Sequence, residues 1–566
     1  MNTAGILHIP DSRYCFALST KELVIRLRVA KEDNDIAVTL VYGPKYHYHE
    51  YQKELAMYAA YTDHTHTYYE ITLSLDDVRL AYIFKLEQSG HTYYFSEDGL
   101  TTSYDFSNGF YNFFQMPYIN AVDVHQTVPW VHDAVFYQIF VDRFHRGDFE
   151  KDDSYINMAW LDRPTPDSFA GGDLKGITDK LEYLEDLGIN VIYLTPIFKS
   201  ISNHKYDISD YYAIDPMFGT SLDLQQLINE AHQRGIKIIL DAVFNHASSD
   251  CEPFQDVLAH GSASSFFDWF MIQGDHPSVE LANYETFADC HYMPKWNTSH
   301  RAVQDYLIAI GLYWITEYDI DGWRLDVSDE VSHDFWRRFR KAVKAVKSDA
   351  ILIGENWHDA YPYLQGDQYD GIMNYAFTKA CLDYFAFDAI SSQEMAERLS
   401  HILMRNTWQV NQMNLNLLDS HDTHRFLTQV NGSKDKLLAG LALLVTFMGI
   451  PCIYYGTELA MEGGYDPDSR RSFNWDSSTW DMSFWNQVKD IISLRRHAVI
   501  QSGSISITSH DDCLCVKREL NGQSIRLLVN NGVKPYPIEK GGSVLVSNGV
   551  DKETCELLQN GFVVSY

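Results

Sequence analysis

The stretch "DGWRLDVSDE", residues 321–330, puts a cation and an anion where a strand would carry core residues. Its leading Asp-Gly is a turn signal, and the run behind it reads as a short strand. Arg324 and Asp326 stand two apart and so share one face; Trp323, Leu325 and Val327 share the other. A structural ion pair would explain the pairing, and so would the rim of a functional site. The rest of the chain separates the two.

From Val131 onward, apolar strand-like runs alternate with helical segments. The runs are "AVFYQIFVDRF", "VIYLTPIF", "KIILDAVFNH", "GWRLDV", "AILIGENW", "GIMNYAF", "NLNLLDSHD" and "GIPCIYYGTE". Between them, Leu224, Leu227, Ile228 and Ala231 follow helical spacing from Ser221 to Gly235. Ile177, Leu181, Leu184 and Leu187 do the same up to Gly188. Eight strand–helix units with strands apolar on both faces predict an α/β fold, a (β/α)8 barrel over residues 123–500. More than fifty residues rich in aromatics and histidine follow the third strand, so a lobe is expected at about 247–300. Residues 1–122 alternate with period two, as in "ELVIRLRV" (Leu23, Ile25, Leu27, Val29) and "YEITLSL" (Tyr69, Ile71, Leu73, Leu75), and predict a β-sandwich. Alternation returns over 501–566, where "LCVKREL" and "QSIRLLV" flank an Asn521–Gly522 hairpin; a second, C-terminal β-sandwich is expected there.

Composition narrows the function. The 566 residues carry a formal net charge of −32, which argues against nucleic acid and anionic membrane surfaces as partners. The 37 Tyr, 30 Phe and 12 Trp suit a large aromatic core, and equally the stacking of sugar rings. Eight cysteines lie scattered without a CxxC pair, which reads as reduced thiols and a cytoplasmic chain. The N-terminus has no basic segment followed by an apolar one, and no stretch is long and apolar enough to span a membrane.

In a parallel barrel the chemistry sits at the C-terminal ends of the strands. Those ends read Asp241, Asn245 and His246 on strand three, Arg324 and Asp326 on four, Glu355 on five, and His421 and Asp422 on seven. Structural ion pairs would not favour one rim. Metal hydrolysis is a candidate, but no HExxH spacing occurs, and none of these strand ends carries an HxH pair. Glycoside hydrolysis fits better, since it needs one ionised carboxylate and one protonated acid. Arg324 beside Asp326 is expected to keep that carboxylate charged, while Glu355, with no cation adjacent in sequence, can titrate higher. Asp422 would stabilise an electron-poor sugar carbon or grip its hydroxyls, and His246 and His421 would hydrogen-bond those hydroxyls.

Taken in order, "DAVFNH", "GWRLDV", "GEN" and "DSHD" resemble the four signature regions of the α-amylase superfamily, glycoside hydrolase family 13. The resemblance implies Asp326 as nucleophile, Glu355 as acid/base and Asp422 as transition-state stabiliser, with Arg324, His246 and His421 as subsite residues. It also implies an Asp241–Arg324 pair between neighbouring strands and Tyr206, in "NHKYD", as the platform under the reacting sugar. Anomeric configuration would be retained, with carboxyl oxygens of Asp326 and Glu355 roughly 5–5.5 Å apart.

"MPKWN" (293–297), "NHKYD" and "GGYDPDSRRSFNW" are similar to segments of the cyclomaltodextrinase, neopullulanase and maltogenic amylase group. That likeness implies an N-terminal starch-binding-type module, a homodimer built through it, and cyclodextrins and short maltodextrins as substrates. It also implies Glu330 shaping the acceptor side, where the alternative is a solvated first-turn residue. Trp357 would stack a sugar, or serve as an ordinary core aromatic. Ser328-Asp329 in place of Ala-Asn, Asn356 in place of Ile and Trp296 in place of Leu are departures expected near the acceptor side. The family's calcium loop is matched by Asp148, Asp152, Gly171 and Asp173, but Arg146 and Lys151 replace two neutral ligands. A cation there would repel calcium or stand in for it, so no required cofactor is expected. An α-1,6- or exo-acting glucosidase is the alternative enzyme, and a non-catalytic sugar-binding protein the alternative class.

Overall fold

The structure, a computed structural model, describes residues 1–539 and 542–566. Each of the eight apolar runs supplies one strand of a single parallel sheet: β1 (Phe136–Ile139), β2 (Val191–Leu194), β3 (Lys237–Ala242), β4 (Gly322–Leu325), β5 (Ile351–Gly354), β6 (Gly371–Ile372), β7 (Leu415–Leu417) and β8 (Ile450–Tyr454). Their order is β6-β5-β4-β3-β2-β1-β8-β7. A parallel bridge between Met373 and Leu415 spans the remaining gap, so the sheet closes. Phe136, Tyr193, Ile239, Ile353, Leu417 and Cys452 belong to its buried filling. In such a closed ring each strand presents its C-terminal end to the same rim. The β3–β4 register sets Asp241 directly beside Arg324.

The intervening segments fold as their spacing requires. Helix α1 (Ser221–Gln233) buries Leu224, Leu227, Ile228 and Ala231. A capping box starts it: the Thr220 hydroxyl accepts from Asp223 N and the Asp223 carboxylate accepts from Thr220 N. The helix expected across 177–187 is two short ones, Leu174–Asp179 and Leu181–Leu187, because Lys180 leaves helical geometry at φ −110°, ψ 8°. After β3 the lobe contains a helix, Glu252–His260, and an antiparallel pair, Thr286–Phe287 with Cys290–Pro294. Trp296 lies in its core, 1 % exposed, stacked on Phe270 at 4.9 Å. Its ring packs inside the lobe, and the cavity described below does not include it.

The chain packs as two compact units. One comprises Met1–Thr127, Ile390–Gln412 and Ser504–Lys517; the other comprises Val128–Ala389, Met413–Gly503 and Arg518–Tyr566. The first unit holds two antiparallel N-terminal sheets. One orders Cys15–Ser19, Glu22–Ala30, His66–Ser74 and Tyr58–Thr62. The other orders Lys53–Ala56, Ala37–Pro44, Leu80–Gln88, His91–Ser96 and Gly99–Thr101, with Phe114–Met116 also on Leu80–Gln88. Leu23, Ile25, Leu27, Val29, Tyr69, Ile71, Leu73 and Leu75 all enter its core, as the alternation predicts. Each such aliphatic side chain contributes roughly 1.5–3 kcal/mol by leaving water. At the C-terminal end Gln523–Asn530, Val544–Asp551 and Glu556–Ser565 form an antiparallel sheet. Asn521 (φ +51°) and Gly522 (φ +79°) make the tight turn before it, with the positive φ at both positions that such hairpins demand.

One buried histidine makes the first unit pH-sensitive. His8 Nδ1 donates to Arg26 O (2.8 Å) and Nε2 faces Tyr82 Oη (2.9 Å). Burial pushes the ring down to about 4, against the carbonyl contact that pulls it up. The folded state therefore prefers the neutral ring. Its contribution is complete above pH 6.5 and is lost as the pH falls towards 4, roughly 3 kcal/mol in all. The melting temperature of the wild type should drop more steeply between pH 7 and pH 4.5 than that of His8→Gln, read by differential scanning calorimetry; parallel curves would clear His8 of the effect.

Candidate active site

Arg324 sits at the floor of the β-barrel mouth, 1 % exposed. Its Nη1 reaches Asp326 Oδ1 at 2.7 Å and the two oxygens of Asp241 at 3.0 and 3.1 Å, and its Nη2 lies 2.9 Å from Glu355 Oε2. One guanidinium thus serves carboxyl groups from β3, β4 and β5. The Asp326 and Asp241 contacts match the sequence expectation; the contact with Glu355 does not, because no cation lies beside Glu355 in the linear sequence. The electrostatics differ accordingly. Burial pushes Asp326 above the ordinary carboxylate range; Arg324 pulls it back, and Glu355 and Asp241 push it further up. Burial likewise pushes Asp241 up to about 6, opposed by Arg324 and by the Tyr193 and Tyr206 hydroxyls. Burial and mutual repulsion thus both work against ionisation of Asp326 and Asp241, and Arg324 works for it.

The groups above this floor are held from below. Gln138 Nε2 donates to His421 Nδ1 (2.7 Å), which leaves the ring proton on Nε2, 2.6 Å from Tyr206 Oη. Tyr206 in turn donates to Asp241 Oδ2 (2.9 Å). Burial keeps the His421 ring well below its usual range, and Arg470 and Arg324 act in the same direction, so it stays neutral within this chain of hydrogen bonds. Asp422 lies 3.2 Å from His421 Nε2 and 3.4 Å from Arg470 Nη2 and is 28 % exposed. Glu355 Oε2 accepts from Val327 N at 2.9 Å, and Oε1 accepts from Trp357 Nε1 at 3.2 Å. Trp357 lies flat on Tyr375, centroids 3.8 Å apart and planes 5° apart. Burial pushes His246 down to about 3, aided by Lys295; its ring stacks on Phe287 of the lobe at 4.8 Å.

A cavity of about 1040 Å³ opens above these groups. Asp326, Glu355, Asp422, Tyr206, His246, Glu330 and Trp357 all line it. Asp241, Arg324 and His421 lie one layer beneath, closed from solvent. Glu330 is paired with Lys295 of the lobe at 2.8 Å. Of the departures near the acceptor side, Asp329 lines the cavity, whereas Ser328 and Asn356 are buried; Ser328 Oγ donates to Glu355 O at 2.7 Å. Sequence reasoning missed Arg470, His204, Asp466 and Phe287 as lining residues. Arg470 donates through Nε to His421 O (2.8 Å) and pairs with Asp466 at 3.0 Å. Its segment "GGYDPDSRRSFNW" lies on a loop well beyond the end of β8, so its position along the strands does not point to the rim. Among the described residues, Asp326 Oδ2, His246 Nε2 and Tyr375 Oη are buried without a hydrogen-bond partner.

The calcium set does not fit a metal. Lys151 Nζ donates to Gly171 O, Asp173 Oδ2 and Met217 O, each at 2.8 Å. Asp173 Oδ1 is already occupied as the cap of the helix at 174–179, accepting from Gly176 N and Gly147 N. Asp148 and Asp152 turn their carboxylates to local backbone N–H groups of Glu150 and Ser154. An ammonium thus occupies the oxygens that a hard cation would need. No cluster of three or more His, Cys, Asp or Glu suited to a metal exists among the described residues.

A closed parallel barrel that brings three acids from β4, β5 and β7 to one aromatic-rimmed cavity defines a carbohydrate-cleaving class of enzyme. Comparison with known proteins gives the family. The description "Alpha amylase, catalytic domain" matches residues 138–498, and "Alpha amylase, N-terminal ig-like domain" matches residues 1–120. The chain belongs to the α-amylase family, glycoside hydrolase family 13. It is 43 % identical to a cyclomaltodextrinase of Thermoanaerobacter pseudethanolicus, over 94 % of this chain and 92 % of that one. It is 40 % identical to neopullulanase 2 of Thermoactinomyces vulgaris, over 93 % and 91 %. A solved cyclomaltodextrinase structure superposes with a TM-score of 0.91 at 35 % identity, covering 100 % of both chains.

The Lys151 geometry generates a test. Removing a buried cation from its oxygens leaves Asp173 unpaired, which is strongly destabilising. Lys151→Met should lower the melting temperature by at least about 5 °C. Chelator or added calcium, each at about 1 mM, should leave that of the wild type unchanged; a calcium-dependent rise in the wild type would refute the assignment.

Proposed function

We propose that the enzyme is a retaining α-glucan hydrolase that cleaves α-1,4-glucosidic bonds of cyclodextrins, short maltodextrins and pullulan. The observation that carries this reading is the convergence of Asp326, Glu355 and Asp422 on one cavity, with Asp326 Oδ2 unpartnered beside an Arg324-bound Oδ1. Asp326 Oδ2 attacks the anomeric carbon while Glu355 gives its proton to the glycosidic oxygen; the C–O bond breaks and a glycosyl ester forms on Asp326. Glu355, now a carboxylate, takes a proton from water, whose oxygen displaces Asp326 from the same carbon and restores both acids. A sugar hydroxyl in place of water yields transglycosylation. Asp422 faces the charge that builds on the sugar, Tyr206 and the Trp357–Tyr375 stack offer flat faces to sugar rings, and Glu330 borders the acceptor end. The cavity volume suits a few sugar units rather than a long polymer. Eight cysteines without a disulfide support a cytoplasmic location, and no helix among the described residues is long and apolar enough to cross a membrane. A homodimer through the N-terminal module completes the reading, with light scattering as its check.

Product analysis on β-cyclodextrin, maltotriose and pullulan tests the reading. Maltodextrins from the first and panose from pullulan are expected. Glucose alone would indicate exo action, maltotriose from pullulan an α-1,6 specificity, and binding without turnover a non-catalytic protein. Asp326→Asn, Glu355→Gln and Asp422→Asn should each lower kcat by roughly 10³-fold or more while remaining folded.

A further inference from the structure

Val327 follows the nucleophile and carries a left-handed backbone, φ +43° and ψ +44°. For a β-branched residue that conformation is an outlier, and such outliers persist where the surroundings impose them. Within this turn Val327 N donates to Glu355 Oε2 at 2.9 Å, on the adjacent strand end. The same oxygen lies 2.9 Å from Arg324 Nη2, inside an ion pair. Glu355 Oε1 meets only the Trp357 indole N–H, at the longer distance of 3.2 Å, on the side where Trp357 is 47 % exposed. All three neighbours can only donate.

Resting on the glycosidase reading, we infer that the left-handed turn at Val327 is a positioning device: its N–H, with Arg324, reserves Glu355 Oε2 for negative charge and assigns the transferable proton to Oε1. A proton on Oε2 would face a guanidinium and compete with an N–H already in place. On Oε1 it has a free lone pair and the open cavity in front of it. The carboxyl group is thereby fixed in the sense needed to protonate a glycosidic oxygen and, in the second half-reaction, to take a proton back at the same atom.

The inference is tested by replacing Val327 with its α-hydroxy acid analogue, which exchanges the N–H for an ester oxygen and keeps the side chain. kcat/KM is read for maltotriose, whose leaving oxygen needs a proton, and for α-maltosyl fluoride, whose leaving group does not. The expected result is a 10- to 100-fold fall for maltotriose with the fluoride value held within about threefold. Val327→Gly, which keeps the N–H and eases the turn, should preserve the wild-type ratio between the substrates. Equal losses on both substrates, or a ratio as disturbed in Val327→Gly, would overturn it. Neutron diffraction on the deuterium-exchanged wild type at acid pH reads the proton without any variant: deuterium on Oε1 is expected, and deuterium on Oε2 contradicts the inference. Wild-type inactivity on both substrates would count against the glycosidase reading, leaving the neutron measurement to decide the proton's place.

Discussion

The buried guanidinium of Arg324 is the contact on which the site depends. Taking it out of water is costly, and the three carboxyl groups of Asp241, Asp326 and Glu355 within 3.1 Å offset that cost. That requirement draws three strand ends together and fixes how far apart their carboxyl groups can lie. It also makes the acids interdependent in position, since each is held by the same cation. Tyr206, His421 and Gln138 extend the same lattice sideways to β1 and β7, and Asp422 enters it through His421. The cavity is thus walled by side chains that a buried, largely satisfied network holds in place, which is what preorganised catalysis requires.

Much of this was legible in the chain. Every apolar run named from the sequence supplies a barrel strand, because a strand buried on both faces leaves an uninterrupted apolar signature, and the barrel rule then converts strand ends into one rim. Asp326, Glu355 and Asp422 follow from that conversion. What stayed hidden depends on neighbours across strands or on loops. Arg324 was read as the partner of Asp326 and Asp241, yet it also touches Glu355 through a contact no linear spacing encodes. Arg470 was missed because its loop returns to the site from beyond β8. The packing of Trp296 inside the lobe stayed hidden too, since a large aromatic in a lobe can face either way and only the fold decides.

The Lys151 ammonium makes a similar point about charge. The sequence showed a cation in a loop that resembles a calcium site, and left open whether it repels the metal or replaces it. The structure gives three oxygens at 2.8 Å around Nζ, one of them the Asp173 carboxylate. The loop is therefore tied to the barrel by a covalently attached cation.

In the double displacement, Asp326 is the residue that would carry the glycosyl group, through the Oδ2 that Arg324 leaves free. Incubating Glu355→Gln with a 5-fluoro-α-maltosyl fluoride, digesting, and sequencing the modified peptide by mass spectrometry tests this most directly. The account predicts a glycosyl adduct on Asp326, within the peptide spanning β4. An adduct on Asp422 or Asp241, or none while the enzyme still cleaves maltotriose with inversion, would contradict it.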